Sequence, residues 1–301
     1  MDSASLLELC AFPGEPRVDL AVSGGADSLA MALLALESSR EACLHHVDHH
    51  ARADSGEDRH FVEGWARAHG VRVVVYDVSV PPGPNFEARA RAERRRVLPR
   101  GVLTGHTADD LAETVLLNLL RGAATPGLGL ADVATMPLRR CRRHSLREWL
   151  SERGETWRED PTNLDPAMTR NRLRREVVPL LNEVSRRDVV PLLVRSAEQL
   201  ALDRAYLEEV GRQDVERGLG EVDCRELATW APARRQWWLR FHLRHRDDLG
   251  EVHPPSRADV LRAESVVLGE VPACEMSGGR RLTRSSQRLS LVVSSGYADQ
   301  S

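Results

Sequence analysis

Apolar runs that end in glycine or in polar residues alternate with amphipathic segments over the first 125 residues. The runs are VDLAVSGG (18–25), ACLHHVDH (42–49), VRVVVYDV (71–78) and GVLTGHTA (101–108). Such runs are typical of buried parallel strands. Helical patterns follow them at 27–36, 54–69, 85–98 and 109–121. This order predicts an α/β fold with a doubly wound parallel sheet, whose ligands bind at the carboxyl ends of the strands.

After Gly122 the pattern changes to a small, turn-rich stretch over 123–137. Helical patterns follow at 145–154, 171–181, 185–213, 223–230, 232–246 and 255–268. Three short apolar segments close the chain, at 271–275, 280–284 and 288–293, with SGG (277–279) as a hairpin turn. We therefore expect a catalytic domain over 1–190 and a smaller, mostly helical domain with a terminal β element over 191–301.

The segment SGGADS (23–28) follows the first predicted strand and precedes a helix. Glycine amides, serine hydroxyls and the free N–H groups of the helix suit a phosphate-binding loop. The expected nucleotide-binding residues are Ser23, Gly24, Gly25, Ala26, Asp27 and Ser28. A Walker loop is excluded because all 42 basic residues are arginine and none is lysine.

Asp27 is unusual within this loop, because a carboxylate normally repels a phosphate. Ligation of Mg²⁺ would explain its presence, since magnesium prefers oxygen ligands and accompanies phosphates. The alternative is that Asp27 caps the helix.

GHTADDLAET (105–114) lies at the end of the fourth predicted strand. If a helix begins near Asp109, Asp110 and Glu113 share one face, where they would hold a cationic substrate or a metal. His106 precedes them and is able to take or relay a proton. The alternative is that the acidic residues complement the helix N-terminus.

HHVDHH (45–50) resembles a metal-binding cluster in composition. Alternation along a strand sends neighbouring side chains to opposite faces, so we do not expect this run to form a dedicated metal site. Asp48 and His49, at the strand end, are expected to line the nucleotide pocket instead.

Arginines are concentrated in two regions. Arg91 and Arg94 lie one turn apart on a predicted helix, where they would stabilise phosphate charge or form a solvated basic face. Residues 139–187 contain 13 arginines and 8 acidic residues, although the whole chain has a net charge of −3. This basic centre suits a nucleic-acid backbone. The expected contacts are Arg170, Asn171, Arg172 and Arg174.

Composition limits the classes of protein to which this chain can belong. With 42% apolar and 29% charged residues the chain is predicted to be globular, and no apolar run is long enough to span a bilayer. We expect no signal peptide and a cytoplasmic location. Five scattered cysteines without CxxC spacing argue against a disulfide framework and against a zinc or iron–sulfur site.

Four motifs together resemble the tRNA(Ile)-lysidine synthetase family of N-type ATP pyrophosphatases. They cover roughly residues 18–190 in order: SGGADS, HVDHHAR with EARARAERRR, GHTADDLAETVLLNLLRGAATPGL, and DPTNLDPAMTRNRLRREVVPLL. The first motif is shared by the superfamily, whereas the set is specific. The sequence departs from the family pattern in two places: Leu111 replaces a glutamine, and Arg139 and Arg140 replace apolar residues.

The resemblance implies an enzyme that adenylates the wobble cytidine of a CAU-anticodon tRNA(Ile) with ATP. The ε-amine of L-lysine then displaces AMP to form lysidine. It implies that Ser23–Ser28 bind ATP and that Asp27 assists Mg²⁺ and pyrophosphate. His106, Asp110 and Glu113 would hold lysine and support the chemistry, and Arg91 and Arg94 would lie near the adenylate. The oligomeric state is left open, with a homodimer as one option.

Three alternatives share part of this evidence. A tRNA thiolation enzyme of the same superfamily would usually rely on paired cysteines. A glutamine-fed amide ligase would need a glutaminase domain. A non-catalytic ATP-binding module would not need three carboxylates around a polyphosphate.

Overall fold

The computed structural model describes residues 1–48, 55–79, 86–123, 128, 133–159, 169–216, 223–246 and 252–293. His49 and the DPTN segment lie outside these residues, and the Arg91 side chain also lies outside the description. The chain divides into two compact units, Met1–Ala201 and Leu202–Ser301. This division falls within the helix Val190–Glu216, which begins at the domain boundary predicted above. The roles of the two domains remain predictions.

Four parallel strands form the sheet of the first unit, in the order β3-β2-β1-β4. They are β1 (Arg17–Ala21), β2 (Glu41–Asp48), β3 (Arg72–Asp77) and β4 (Leu103–Thr104). The chain moves outward from β1 to β3 and then returns to the other side of β1, so the order reverses between β1 and β4. This strand order confirms the predicted α/β fold with a parallel sheet. SGGADS and GHTADD follow the adjacent strands β1 and β4, and ligands of such sheets bind where the order reverses.

Helices surround this sheet. They are α1 (Ser3–Leu9), α2 (Ala26–Glu37), α3 (Ser55–Ala68), α4 (Phe86–Val97), α5 (Ala108–Leu120), α6 (Arg143–Glu152), α7 (Thr169–Arg172), α8 (Val178–Ser185) and α9 (Val190–Glu216). A π-helical segment, Leu173–Val177, joins α7 to α8. The predicted helix over 185–213 is wrong at its start, because Arg186 adopts a φ of 55° that ends α8.

The core of this unit packs α2 and α6 against the sheet. Leu20 and Leu44, on β1 and β2, are fully buried together with Leu29 and Leu34 of α2. On α6, Leu146, Trp149 and Leu150 share one buried face. This apolar face holds α6 against α2, and it thereby places the first turn of α6 beside the start of α2.

The second unit combines short helices with two antiparallel elements. Its elements are α10 (Cys224–Thr229), α11 (Pro232–His242), β5 (His245–Arg246), β6 (Val252–His253), α12 (Arg257–Leu268), β7 (Ala273–Met276), β8 (Arg280–Ser285) and β9 (Arg288–Val293). Strands β7, β8 and β9 form the predicted terminal β element. A reciprocal cap between Ser256 and Asp259 starts α12. No helix among the described residues is long and apolar enough to cross a membrane.

Gly105 follows β4 and lies against the start of α2. A Cβ at this position would meet the Cα of Ser28 at 2.9 Å and the carbonyl oxygen of Asp27 at 3.0 Å. Backbone atoms cannot swing aside as a flexible side chain would. The absence of a side chain at Gly105 therefore lets the two predicted site motifs approach each other.

We expect Gly105→Ala to destabilise the protein by about 1–3 kcal/mol, because the added methyl group must push the two backbones apart. Urea denaturation measures this change. Gly64→Ala is the matched control, since Gly64 lies within α3 and a Cβ there meets nothing within 4 Å. That control should gain about 0.5–1 kcal/mol from a lower entropy cost. Equal effects of the two substitutions would contradict the close approach.

Candidate functional site

The loop between β1 and α2 has the geometry of an anion-binding turn. Gly24 has a φ of +89°, and Gly25 caps α2 without a side-chain hydrogen bond. The Ser28 hydroxyl donates to the Gly25 carbonyl oxygen at 2.9 Å and accepts the Ser23 N–H at 3.2 Å. These bonds shape the loop while the first N–H groups of α2 remain oriented toward the strand end.

Asp27 lies in the first turn of α2 and does not cap the helix. Its Oδ2 accepts a hydrogen bond from Arg143 Nε at 3.0 Å, whereas its buried Oδ1 has no hydrogen-bond partner among the described residues. Burial raises the pKa of Asp27, Arg143 opposes that shift, and the carboxylate of Asp110 adds to it. A buried carboxylate oxygen left without a partner is a position where a ligand or an ion fits.

Asp110 has two roles at the start of α5. Its Oδ2 accepts hydrogen bonds from the Thr107 N–H at 2.9 Å and from the Thr107 hydroxyl at 2.8 Å, which completes a capping box. Its Oδ1 accepts Arg143 Nη2 at 2.5 Å. Burial alone would raise the pKa of Asp110, but Arg143 and the bonds from Thr107 lower it below its usual value. The T-x-x-D spacing of a capping box signals the first role.

Glu113 lies one turn further along α5 and is only 2% exposed. Its Oε1 accepts Arg174 Nε at 2.7 Å and Arg143 Nη1 at 3.4 Å, and its Oε2 accepts Arg174 Nη2 at 3.2 Å. The predicted shared face of Asp110 and Glu113 is thus present, and both carboxylates on it hold guanidinium groups.

Arg143 connects the site, and sequence reasoning did not single it out. One guanidinium group contacts the carboxylates of Asp27, Asp110 and Glu113, which come from two helices. Burial would lower the pKa of Arg143, but the three carboxylates raise it, so the group stays charged. We call Asp27, Asp110 and Glu113 the acidic cluster, and Arg143 its central arginine.

Three further predicted residues are His106, Asp48 and Arg94, and of these His106 acts electrostatically on Asp110. His106 Nδ1 is 2.8 Å from the Thr104 hydroxyl oxygen, at the end of β4. Asp48 ends β2 and is 4% exposed, with its carbonyl oxygen accepting the Val78 N–H. Arg94 is exposed on α4. The catalytic and nucleotide-binding roles of these residues remain predictions.

The residues expected to face RNA do not share one surface. Arg170 and Arg172 are exposed, and Arg172 pairs with Glu176 at 2.9 Å. Asn171 is 5% exposed, and Arg174 turns toward Glu113. Arg174 is thus directed toward Glu113 from the π-helical segment, and the contact of these four residues with RNA remains a prediction.

The two departures from the family pattern have a common structural explanation in α9. Leu111 is 2% exposed and packs in a small core with Val190 and Val194. Arg139 and Arg140 both donate to Glu198 of the same helix, at 3.3 and 3.0 Å. An apolar residue at 111 and cations at 139 and 140 therefore match the side chains that α9 presents.

Comparison with known proteins identifies relatives for most of the chain. A model of the PP-loop domain family matches residues 2–181. A tRNA(Ile)-lysidine synthase of Salinispora tropica is 37% identical over 319 residues, which cover 96% of this chain and 93% of that protein. The tRNA(Ile)-lysidine synthase of Thermus thermophilus is 44% identical over 223 residues, covering 69% of this chain. This chain spans only 43% of the Thermus relative's length.

A solved structure shares the fold at low identity. The U34-tRNA thiolase NcsA from Methanococcus maripaludis, described with a 4Fe–4S cluster, matches with a TM-score of 0.53 and 16% identity. The match covers 66% of this chain and 77% of the thiolase. At this identity the likeness concerns the fold alone.

We expect Arg143→Met to reduce the free energy of unfolding by about 3–5 kcal/mol, because Asp27 and Asp110 lose the cation that pairs with them and Glu113 keeps only Arg174. Without Arg143, burial raises the pKa of Asp27 and of Asp110 in the folded state, so protonation favours folding. The deficit should therefore be larger at pH 8 than at pH 5. Urea denaturation at the two pH values measures it.

Arg147→Met is the matched control, since Arg147 lies one turn further along α6 and pairs with the exposed Glu159. Its cost should stay below about 1 kcal/mol at both pH values. A deficit for Arg143→Met that does not change with pH would mean that the arginine does not neutralise the cluster.

Proposed function

This chain belongs to the PP-loop domain family and to the tRNA(Ile)-lysidine synthases, and from that premise we propose that it uses ATP to attach L-lysine to the wobble cytidine of a CAU-anticodon tRNA(Ile). The ring carbonyl oxygen of the cytidine attacks the α-phosphorus of ATP, and pyrophosphate leaves. The ε-amine of lysine then attacks the activated ring carbon, and AMP leaves with the oxygen.

The acidic cluster is the observation that carries this proposal. Asp27, Asp110 and Glu113 surround the guanidinium group of Arg143, and Asp27 belongs to the phosphate-binding loop. A site that selects a lysine ammonium group needs the same complementarity. A phosphate site without a second, cationic substrate would gain nothing from three carboxylates, since they repel the polyphosphate.

Lysine and Arg143 compete for the same carboxylates. The contact of Arg143 with Glu113, at 3.4 Å, is the longest of its three, so it is the contact that lysine replaces most readily. An arginine released from Glu113 remains beside Asp27, where its charge favours the phosphates. The ammonium group must lose a proton before it attacks, and the imidazole of His106 is the group that would accept it.

The residues present fit a magnesium ion at the phosphate loop. Asp27 Oδ1 is a buried carboxylate oxygen without a hydrogen-bond partner among the residues described, directly at the start of α2. A hard cation with a preference for oxygen ligands satisfies such an atom. When bound, Mg²⁺ supplies positive charge to the phosphates of ATP and of the departing pyrophosphate. Asp27 would hold it.

The exposed arginines supply the contact with RNA. Arg170 and Arg172 lie on the surface of α7, and Arg174 follows in the π-helical segment, where it pairs with Glu113. Adjacent turns of the chain would thereby present cations to a nucleic-acid backbone and support the amine site. Such contacts fix the position of the RNA without reading its sequence.

A thiolation activity receives no comparable support. Among the described residues Cys10 and Cys141 approach most closely, with their sulfur atoms 3.8 Å apart, and Cys141 is fully buried in the core. A persulfide must meet an activated base at the strand ends, whereas this pair lies near α1 and the loop before α6.

The proposed function is tested by incubating the full chain with radiolabelled ATP, L-lysine and a CAU-anticodon tRNA(Ile) transcript. We expect AMP to accumulate only when both lysine and tRNA are present, with lysidine in the tRNA. Asp27→Asn should reduce pyrophosphate release about 100-fold or more without loss of fold. AMP formation that does not depend on lysine would overturn the proposal.

We expect Glu113→Gln to raise the KM for lysine about 10-fold or more, because the amide keeps the shape but lacks the charge that holds the ammonium group. The KM for ATP should change less than about 2-fold. Glu176→Gln is the control, since Glu176 carries the same charge on an exposed face nearby. Equal rises in the KM for lysine and the KM for ATP would show that Glu113 does not hold the amine.

A further inference from the structure

A second cluster of chemically reactive side chains lies on the sheet away from the phosphate loop. In the register of β1 and β2, Asp19 pairs with Cys43 and Ala21 pairs with His45. Paired residues of neighbouring strands, and residues two apart on one strand, share a face. Asp19, Cys43 and His45 therefore lie on the same face, whereas His46 points to the opposite one.

The three side chains converge. His45 Nε2 is 2.9 Å from Asp19 Oδ1, and one ligand atom from each of Asp19, Cys43 and His45 lies within 4.8 Å of the others. Among the residues that the structure describes, this is the one group of three or more histidine, cysteine or acidic residues with such a spacing. The imidazole is 6% exposed, while the Asp19 side chain is 44% exposed, so the cluster has a buried side and an open side.

We propose that Asp19, Cys43 and His45 form a zinc site, with solvent as the fourth ligand. The sequence argued against zinc because no local motif holds the ligands, whereas here the register of two strands brings them together. The donor set comprises one thiolate, one imidazole and one carboxylate, which zinc accepts in a tetrahedral arrangement. Magnesium and calcium are disfavoured because only one of the three donors is oxygen. Binding replaces the proton of the Cys43 thiol with zinc and releases that proton to solvent.

Tyr76 completes the arrangement from β3. Its hydroxyl oxygen is 3.0 Å from His45 Nδ1. When Nε2 binds the metal, Nδ1–H donates to this oxygen, which fixes the tautomer and the orientation of the ring. A histidine that ligates zinc characteristically has such a partner on its other nitrogen.

The site has a structural consequence for the phosphate loop. Asp19 lies on β1, four positions before the loop residue Ser23. Just after β1, the Val22 N–H donates to the carbonyl oxygen of His45 at 2.9 Å. Zinc would link β1 to β2 just before this point. The metal therefore stabilises the strands that carry the loop, without contact with the nucleotide.

The test begins with the full chain stripped of metal by a chelator and then titrated with Co²⁺, which reports on thiolate ligation through a sulfur-to-cobalt charge-transfer band. We expect one ion per chain and the appearance of that band. Titration with Zn²⁺ should displace cobalt and raise the melting temperature, since an ion that binds only the folded state stabilises it.

Variants separate the proposed ligands from the other thiols. Cys43→Ser should abolish the band, and Asp19→Asn should weaken zinc binding at least about 10-fold, a loss of about 1.4 kcal/mol. Cys274→Ser is the control and should leave the band and the affinity unchanged. Asp19→Asn changes a partly exposed side chain, so it keeps the test informative should Cys43→Ser fail to fold.

A band that persists in Cys43→Ser, or a wild-type chain that does not bind one equivalent of Co²⁺ or Zn²⁺, would overturn the proposal. The site does not depend on the proposed function. A chain that binds zinc but forms no lysidine, or the reverse, would distinguish the two conclusions.

Discussion

One guanidinium group between three carboxylates holds the functional edge of this protein together. Asp27 is carried by α2, and Asp110 and Glu113 are carried by α5, so the sheet brings like charges to adjacent strand ends. Like charges at such distances repel strongly where burial removes water. Arg143 offsets this repulsion together with Arg174, which pairs with Glu113, and α6 must therefore stay in place for the three carboxylates to remain this close.

Arginine suits this position for reasons that lysine cannot match. Its planar group offers five donors in a fork and remains charged at any physiological pH, so it reaches three carboxylates at once. The chain carries no lysine, and its cations are all arginine. In the function proposed above, a lysine ammonium group would replace one of these guanidinium contacts.

Rigid packing positions these charges. The buried face of α6, centred on Trp149, fixes Arg143 beside α2. Gly105 lets the end of β4 approach the start of α2 at backbone distance. Asp110 caps α5 with one oxygen and binds Arg143 with the other, so the same side chain sets the helix boundary and the site. The cluster at Asp19 and Cys43 lies on the same strands, before the loop.

The sequence alone determined the strands, the phosphate loop and the acidic pair, because their signals are local: apolar periodicity, glycines after a strand, and carboxylates one turn apart. Tertiary structure decided the rest. Arg143 meets Asp27 across 116 positions, and Arg174 meets Glu113 across 61. The burial of Leu111 depends on α9. Such contacts follow from how the helices pack on the sheet. For that reason no local pattern indicates which of the many arginines in 139–187 contacts the buried carboxylates.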